Sequence, residues 1–299
     1  MKEEVLSYAI HDVTPYINWI YFFHAWGFQL RFSAIANIHG CDVCRASWLT
    51  TFPEEERSKA AEAMQLFKEA NRMLNQLDED YQVHVIYQLR EANSDGDNIL
   101  MEGTPFPLLR QQTPHTDNSP YLCLSDFIRP LSSGKQDTIG LFAATCDGEI
   151  EALYENDPYK RMLVQTLADR LAEAATEKVH EYVRKTAWGY AKDENLTIPD
   201  LLVEKYQGIR PAVGYPSLPD QSIIFLLNQL LKMERIGITL TESGAMSPHA
   251  SVSGLMIAHP SSHYFAVGKI GDDQLEDYAR RRGMQVSEIR KFLLANLKL

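Results

Sequence analysis

The chain has 299 residues, 45% hydrophobic and 23% charged, and its 40 acids against 29 bases give a formal net charge of -11. That composition is ordinary for a globular protein, and the length fits one large domain or two smaller ones. An acidic chain without a basic stripe is a poor partner for nucleic acid or anionic membrane, and apolar runs such as Ile223–Leu227 are too short to span a bilayer.

The start, Met1-Lys2-Glu3-Glu4, lacks the basic-then-apolar pattern of a signal peptide. Cys41, Cys44, Cys123 and Cys146 suit reduced thiols in a cytoplasmic protein. Residues 1–12 read as extended. Residues 14–23 are dense in aromatics around one small polar group, Asn18, whose amide is expected to bond backbone beside the core. His39, Cys41 and Cys44 have metal-like spacing. The second Cys pair of a structural site is missing, so the expectation is two small thiols and no metal.

Residues 53–77 read as a helix opened by Pro53 and the acids Glu54-Glu55-Glu56. Residues 83–87 and 99–101 read as strands joined across the turn-rich stretch 92–98. Residues 121–124 and 137–143 read as two more strands, placed to pair across the loop 129–136. Asn156-Asp157-Pro158 starts a helix expected to run to about residue 187. Leu163, Leu167, Leu171 and Ala175 form its apolar stripe. Asp169, Glu173, Thr176 and Glu177 fall opposite at about 100° per residue, which by spacing alone makes Glu173 a solvated acid.

Gly208–Pro216 holds two glycines, two prolines, Arg210 and Tyr215. Proline fixes φ and lacks an N–H, and Gly214 permits backbone shapes closed to other residues, so the segment is a rigid irregular loop. Asp220 or Ser222 caps a short apolar helix ending near Gly237, and a strand is expected at 238–241. Two strands, 252–258 and 264–270, are expected on either side of His259–His263. The tail reads as two helices, one over 272–282 and one capped by Ser287. Irregular mixing of helices and strands points to an α+β fold rather than a βαβ array.

The chain has no G-x-S-x-G elbow, no H-E-x-x-H and no Gly-rich phosphate loop after a strand. What remains is a binding constellation, with no catalytic residues and no metal ligands assigned. Arg210 suits a carboxylate, Glu204 an amino group, and Tyr264 and Phe265 a flat ring or a sulfonium. That is the chemistry of an α-amino-acid zwitterion joined to something aromatic and cationic.

These residues also carry a family resemblance. Tyr206–Pro216, Leu240–Ser243, Ala250–Gly254, Val267–Ile270, Asp273–Arg281, Ala168–Ala174 and Trp188–Ala191 together resemble the activation domain of cobalamin-dependent methionine synthase. The resemblance implies a single C-shaped domain over 1–299 around a twisted antiparallel sheet flanked by helices, with an insertion near 33–60. It implies S-adenosylmethionine binding: Arg210 on the methionine carboxylate; Ala212, Gly214 and Tyr215 lining the site; Glu173 and Glu204 facing the ligand; Tyr264 and Phe265 beside the adenosyl part. The implied role is reductive remethylation of cob(II)alamin held by a partner cobalamin-binding domain, in trans, with a flavodoxin-like electron donor. Homocysteine, folate and cobalamin domains are not among these residues, so no complete synthase site is expected. Asn18 stands where the family usually has an aspartate, near the expected ammonium position. That departure supports the alternative of a paralogue acting as an S-adenosylmethionine sensor or scaffold.

Overall fold

The computed structural model describes residues 2–114 and 119–298. Its centre is β2 (Gln82–Asp95), a strand whose first half is rich in Val, Ile and Tyr. On one edge of β2 lies β1 (Lys2–Ala9), paired antiparallel from Ala9 opposite Gln82 to Lys2 opposite Leu89. Further along that edge, β2 turns through Gly96, at a φ of 56°, into β3 (Asn98–Met101). β4 (Thr104–Pro107) follows β3. The other edge of β2 carries β5 (Asp137–Cys146), and a small ribbon pairs β6 (Thr239–Leu240) with β7 (Met246–Ser247). β8 (Ser251–Met256) lies on the far side of β5. The six-stranded sheet is antiparallel throughout and flanked by helices, as the α+β reading expected.

Alternation along the central strands feeds two cores. Val83, Val85 and Tyr87 of β2, with Phe142 and Ala144 of β5, meet the helices Arg57–Asp80 and Pro158–Tyr182. Ile86, Leu141 and Leu255 point the other way, onto the apolar helix Ile223–Leu231. The sheet is therefore covered on both faces, which explains its near-continuous apolar runs. Phe32, Ile35, Trp48 and Phe52, from residues 30–56, join the first core. A third cluster joins Val267 and Ile270 to the tail helices Asp272–Arg282 and Val286–Phe292. Among the described residues no helix is long and apolar enough to cross a membrane.

The Pro158 start behaves as expected: Asp157 caps the helix by accepting from the Lys160 N–H at 3.1 Å. A π turn, Val183–Ala187, then carries it to the expected end. Several expectations fail; residues 10–12, read as extended, lie in the short helix Ile10–Val13. Residues 121–124 form no strand, because both edges of β5 are taken by β2 and β8; Cys123 makes a single bridge to Arg110 instead. Residues 264–270 do not pair with β8, whose outer edge is taken by Ile209–Val213. Ser287 does not cap the last helix, because Gln285 is its N-cap residue.

Candidate functional site

The segment Gly208–Pro216 lies along the free edge of β8. Ile209 exchanges two backbone hydrogen bonds with Ile257, both 2.9 Å; Pro211 accepts from the Leu255 N–H and Val213 donates to the Ser253 carbonyl, each at 2.9 Å. Proline has no N–H to give but its carbonyl completes this irregular ladder. Two glycines make the approach possible. A Cβ on Gly254 would stand 2.2 Å from the Pro211 carbonyl oxygen, and one on Gly208, at a φ of 95°, would stand 2.5 Å from that of Ile257. Gly214 turns the chain at a φ of 84°.

Arg210 points inward, its side chain 13% exposed. Its backbone N–H donates to the Tyr264 hydroxyl at 2.9 Å. The guanidinium donates to Glu177 Oε2 at 2.8 Å, to His180 Nδ1 at 3.2 Å and to the Tyr206 hydroxyl at 3.3 Å. A guanidinium has five N–H donors, so this leaves capacity for a ligand carboxylate. His180 is wholly buried, and burial first, then the Arg184 and Arg210 cations, holds its pKa well below 6.5. The ring is neutral, and because Nδ1 faces a guanidinium we assign its proton to Nε2, 3.4 Å from the Tyr190 hydroxyl. Behind it Arg184 is paired twice with Glu194, at 2.7 and 2.9 Å, and stacks 4.0 Å above the Tyr206 ring. This polar layer fixes Arg210 from behind.

In front of Arg210 opens a cleft of about 600 Å³. Eight of the nine sequence-predicted residues line it: Asn18, Glu173, Glu204, Arg210, Ala212, Tyr215, Tyr264 and Phe265. Gly214 is not in the lining; a Cβ there would meet Gln221 Oε1 at 2.8 Å. Glu173 is not the solvated acid its spacing suggested, since it accepts from the Tyr215 hydroxyl at 2.7 Å. The helix face that looked polar is covered by the 208–216 loop, and Thr176 and Glu177 are buried there. Asn18 uses its side-chain oxygen to cap the helix Trp19–Ala25, accepting from the Ile20 N–H at 3.2 Å.

Sequence reasoning passed over Glu177. It lies one helical turn beyond Glu173, a spacing that places both on one face and could have exposed it. Its Oε2 holds Arg210, while Oε1 is buried without a hydrogen-bond partner among the described residues. Glu204 adopts a φ of 59°, strained for a residue with a side chain, a conformation that concentrates at functional sites. Partial burial raises its carboxyl pKa against the pull of Arg210. Arg170 and Tyr21, also not anticipated, complete the mouth. Three carboxylates (Glu173, Glu177, Glu204) against two guanidiniums (Arg170, Arg210) leave the lining one negative charge in excess.

A family model described as the activation domain of vitamin B12 dependent methionine synthase matches residues 9–283. This chain belongs to that activation-domain family. It is also similar to a solved structure described as the MetH reactivation domain bound to AdoHcy, with a TM-score of 0.87 and 39% identity over 100% of this chain and 91% of that one. The span matched by the activation-domain model includes every residue of the cleft.

Proposed function

We propose that this activation-domain protein binds S-adenosylmethionine in the cleft around Arg210 and presents its methyl group to a cobalamin carried by a partner domain, acting in trans. The observation that carries the reading is the charge and shape of the cleft, together with the AdoHcy bound to the similar reactivation domain. S-adenosylmethionine has one carboxylate, one ammonium and one sulfonium, a net charge of about +1 at neutral pH from ordinary pKa values. It complements a lining with one extra negative charge. Arg210 takes the carboxylate through its remaining N–H groups. Glu177 Oε1, with Glu173 and Glu204, faces the cationic part. Ala212 and Gly214 let the backbone come close, and Tyr215, Tyr264 and Phe265 cover the adenosyl group and sulfonium.

One electron from a flavodoxin-like donor and the methyl group of S-adenosylmethionine return the partner's cob(II)alamin to its methyl form, and S-adenosylhomocysteine leaves. This chain's part is to hold, orient and shield the methyl donor. We read residues 1–299 as one domain with an insertion at 33–60, working in the reducing cytoplasm.

Calorimetry with S-adenosylmethionine should show one binding site, lost in Arg210→Ala. The chain added to a cob(II)alamin synthase lacking its own activation domain, with a reductant, should restore methylcobalamin. Absence of binding rules out the proposal. Binding without methylcobalamin return leaves a sensor or scaffold, a reading favoured by Asn18, which brings no charge and whose side-chain oxygen is engaged in capping.

A further inference from the structure

A second constellation lies outside the cleft, at the start of the helix Asp42–Thr50. One ring nitrogen of His39 and the sulfurs of Cys41 and Cys44 all lie within 4.8 Å of one another. Ligand atoms around a tetrahedral zinc, with Zn–S near 2.3 Å and Zn–N near 2.0–2.1 Å, stand about 3.6–3.8 Å apart. Small side-chain rotations therefore bring all three onto one ion.

Two backbone bonds arrange the set. Cys41 is the N-cap residue, and its sulfur accepts from the Cys44 N–H at 3.3 Å. The Cys41 N–H donates to His39 Nδ1 at 3.4 Å, a bond the ring gives up when it ligates, since its one lone-pair nitrogen then faces the ion. An N–H bonded to sulfur supports an anionic ligand, as outer-shell donors do in metal sites, and the helix N-terminus adds its partial positive charge. The other two cysteines, Cys123 and Cys146, are buried elsewhere.

The missing second Cys pair argued against a structural four-ligand centre. It does not argue against a site with three protein ligands and an open fourth position, for which Cys₂His is a known donor set. Two thiolates and an imidazole are borderline-soft donors suited to zinc rather than to magnesium or calcium. We propose that His39, Cys41 and Cys44 bind one Zn²⁺ ion, with the fourth position filled by water or an added ligand. The ion ties Ile38–Gly40 to the helix that seats Trp48 in the first core. None of the three ligands lines the cleft.

The test uses the full chain, reduced, stripped of metal, and titrated with zinc against a chromophoric chelator. One equivalent of zinc should bind and raise the melting temperature. Co²⁺ in its place should give a thiolate-to-metal charge-transfer band and the visible spectrum of a tetrahedral ion. Cys41→Ser and Cys44→Ser should weaken zinc by about 100-fold or more, since loss of an outer-shell partner alone costs up to ~100-fold. His39→Ala should weaken zinc while retaining the thiolate band. Circular dichroism of each variant confirms that the chain is folded. No charge-transfer band with Co²⁺, or equal zinc uptake by wild type and Cys41→Ser, overturns the assignment. A reduced wild-type chain that takes up no zinc, and forms only a Cys41–Cys44 disulfide on exposure to oxidant, overturns it too.

Discussion

Two of the buried arginine–carboxylate pairs, Arg282 with Asp220 and Arg210 with Glu177, differ in how completely the carboxylate is bonded. Arg282 meets Asp220 with side chains 4% and 2% exposed, and both oxygens of Asp220 are engaged. Oδ1 accepts from the Ser222 N–H and hydroxyl at 2.9 and 2.7 Å; Oδ2 accepts from the Tyr278 hydroxyl and Arg282 at 2.7 and 2.9 Å. Arg210 meets Glu177 in a similar setting, but Glu177 Oε1 is left without a partner among the described residues, and Glu177 lines the cleft. The first carboxylate is complete and fastens the tail helix Asp272–Arg282 to the turn before Ile223. The second is half complete, and a bound cation would finish it. Buried polar groups are nearly always satisfied, so the orphan oxygen of Glu177, a residue of the cleft lining, sets this pair apart from the Asp220 pair.

The largest test of this contrast is Asp220→Ala. It strands the Arg282 cation and should cost about 3–5 kcal/mol in urea unfolding, while S-adenosylmethionine still binds wherever the chain stays folded. A loss of under about 1 kcal/mol would place the pair in the class of surface ion pairs and erase the distinction.

Gly254→Ala comes next. The added methyl forces Pro211 away from β8, with an expected loss of about 1–3 kcal/mol as overpacking. It should weaken S-adenosylmethionine as well, because Arg210 moves with the loop. Unchanged calorimetric affinity would show that the loop's fit to β8 does not position Arg210.

Acid unfolding probes the polar layer behind the cleft. His180 is held neutral in the fold, with its pKa well below the unfolded 6.5. Below that pH the unfolded chain takes up a proton that the native ring refuses, so stability falls as pH drops through about 6.5, by up to ~1.4 kcal/mol per unit for this one group. His180→Gln should flatten that part of the curve, measured as urea midpoint against pH.

The smallest effect is the most specific. Glu177→Gln keeps an acceptor for Arg210 but removes one negative charge. It should lower the preference for S-adenosylmethionine over S-adenosylhomocysteine, a zwitterion without the sulfonium charge, by about threefold to tenfold, the scale of a charge interaction in a partly solvated site. Paired calorimetry with both ligands gives the ratio, and an unaltered ratio means Oε1 does not face the cation.

Much of this was legible in the sequence because local chemistry decided it. Asp157-Pro158 dictates a helix start whatever surrounds it, and two prolines with two glycines dictate that 208–216 is irregular. The two strand failures share one cause. A sheet edge accepts one neighbour, and which segment takes it is decided at long range. Residues 264–270 look like a partner for β8, but Ile209–Val213 holds that edge. The same occupation buries the helix face bearing Thr176 and Glu177, which periodicity alone would leave in solvent. The likeness to a family pointed to Glu173 as ligand-facing where spacing alone read it as a solvated acid. Neither route reached Glu177, whose role depends on an oxygen left unbonded in three dimensions.

The seating of the Arg210 loop on β8 has a consequence for solubility. An uncovered strand is a template for another chain, and natural proteins cap or disrupt such borders to avoid sticking together. Here the Arg210 segment serves as that cap, through the contacts of Ile209, Pro211 and Val213. Substitutions that loosen the segment to speed ligand exchange would also bare a self-adhesive border, so faster release and freedom from aggregation pull against each other at the same few residues.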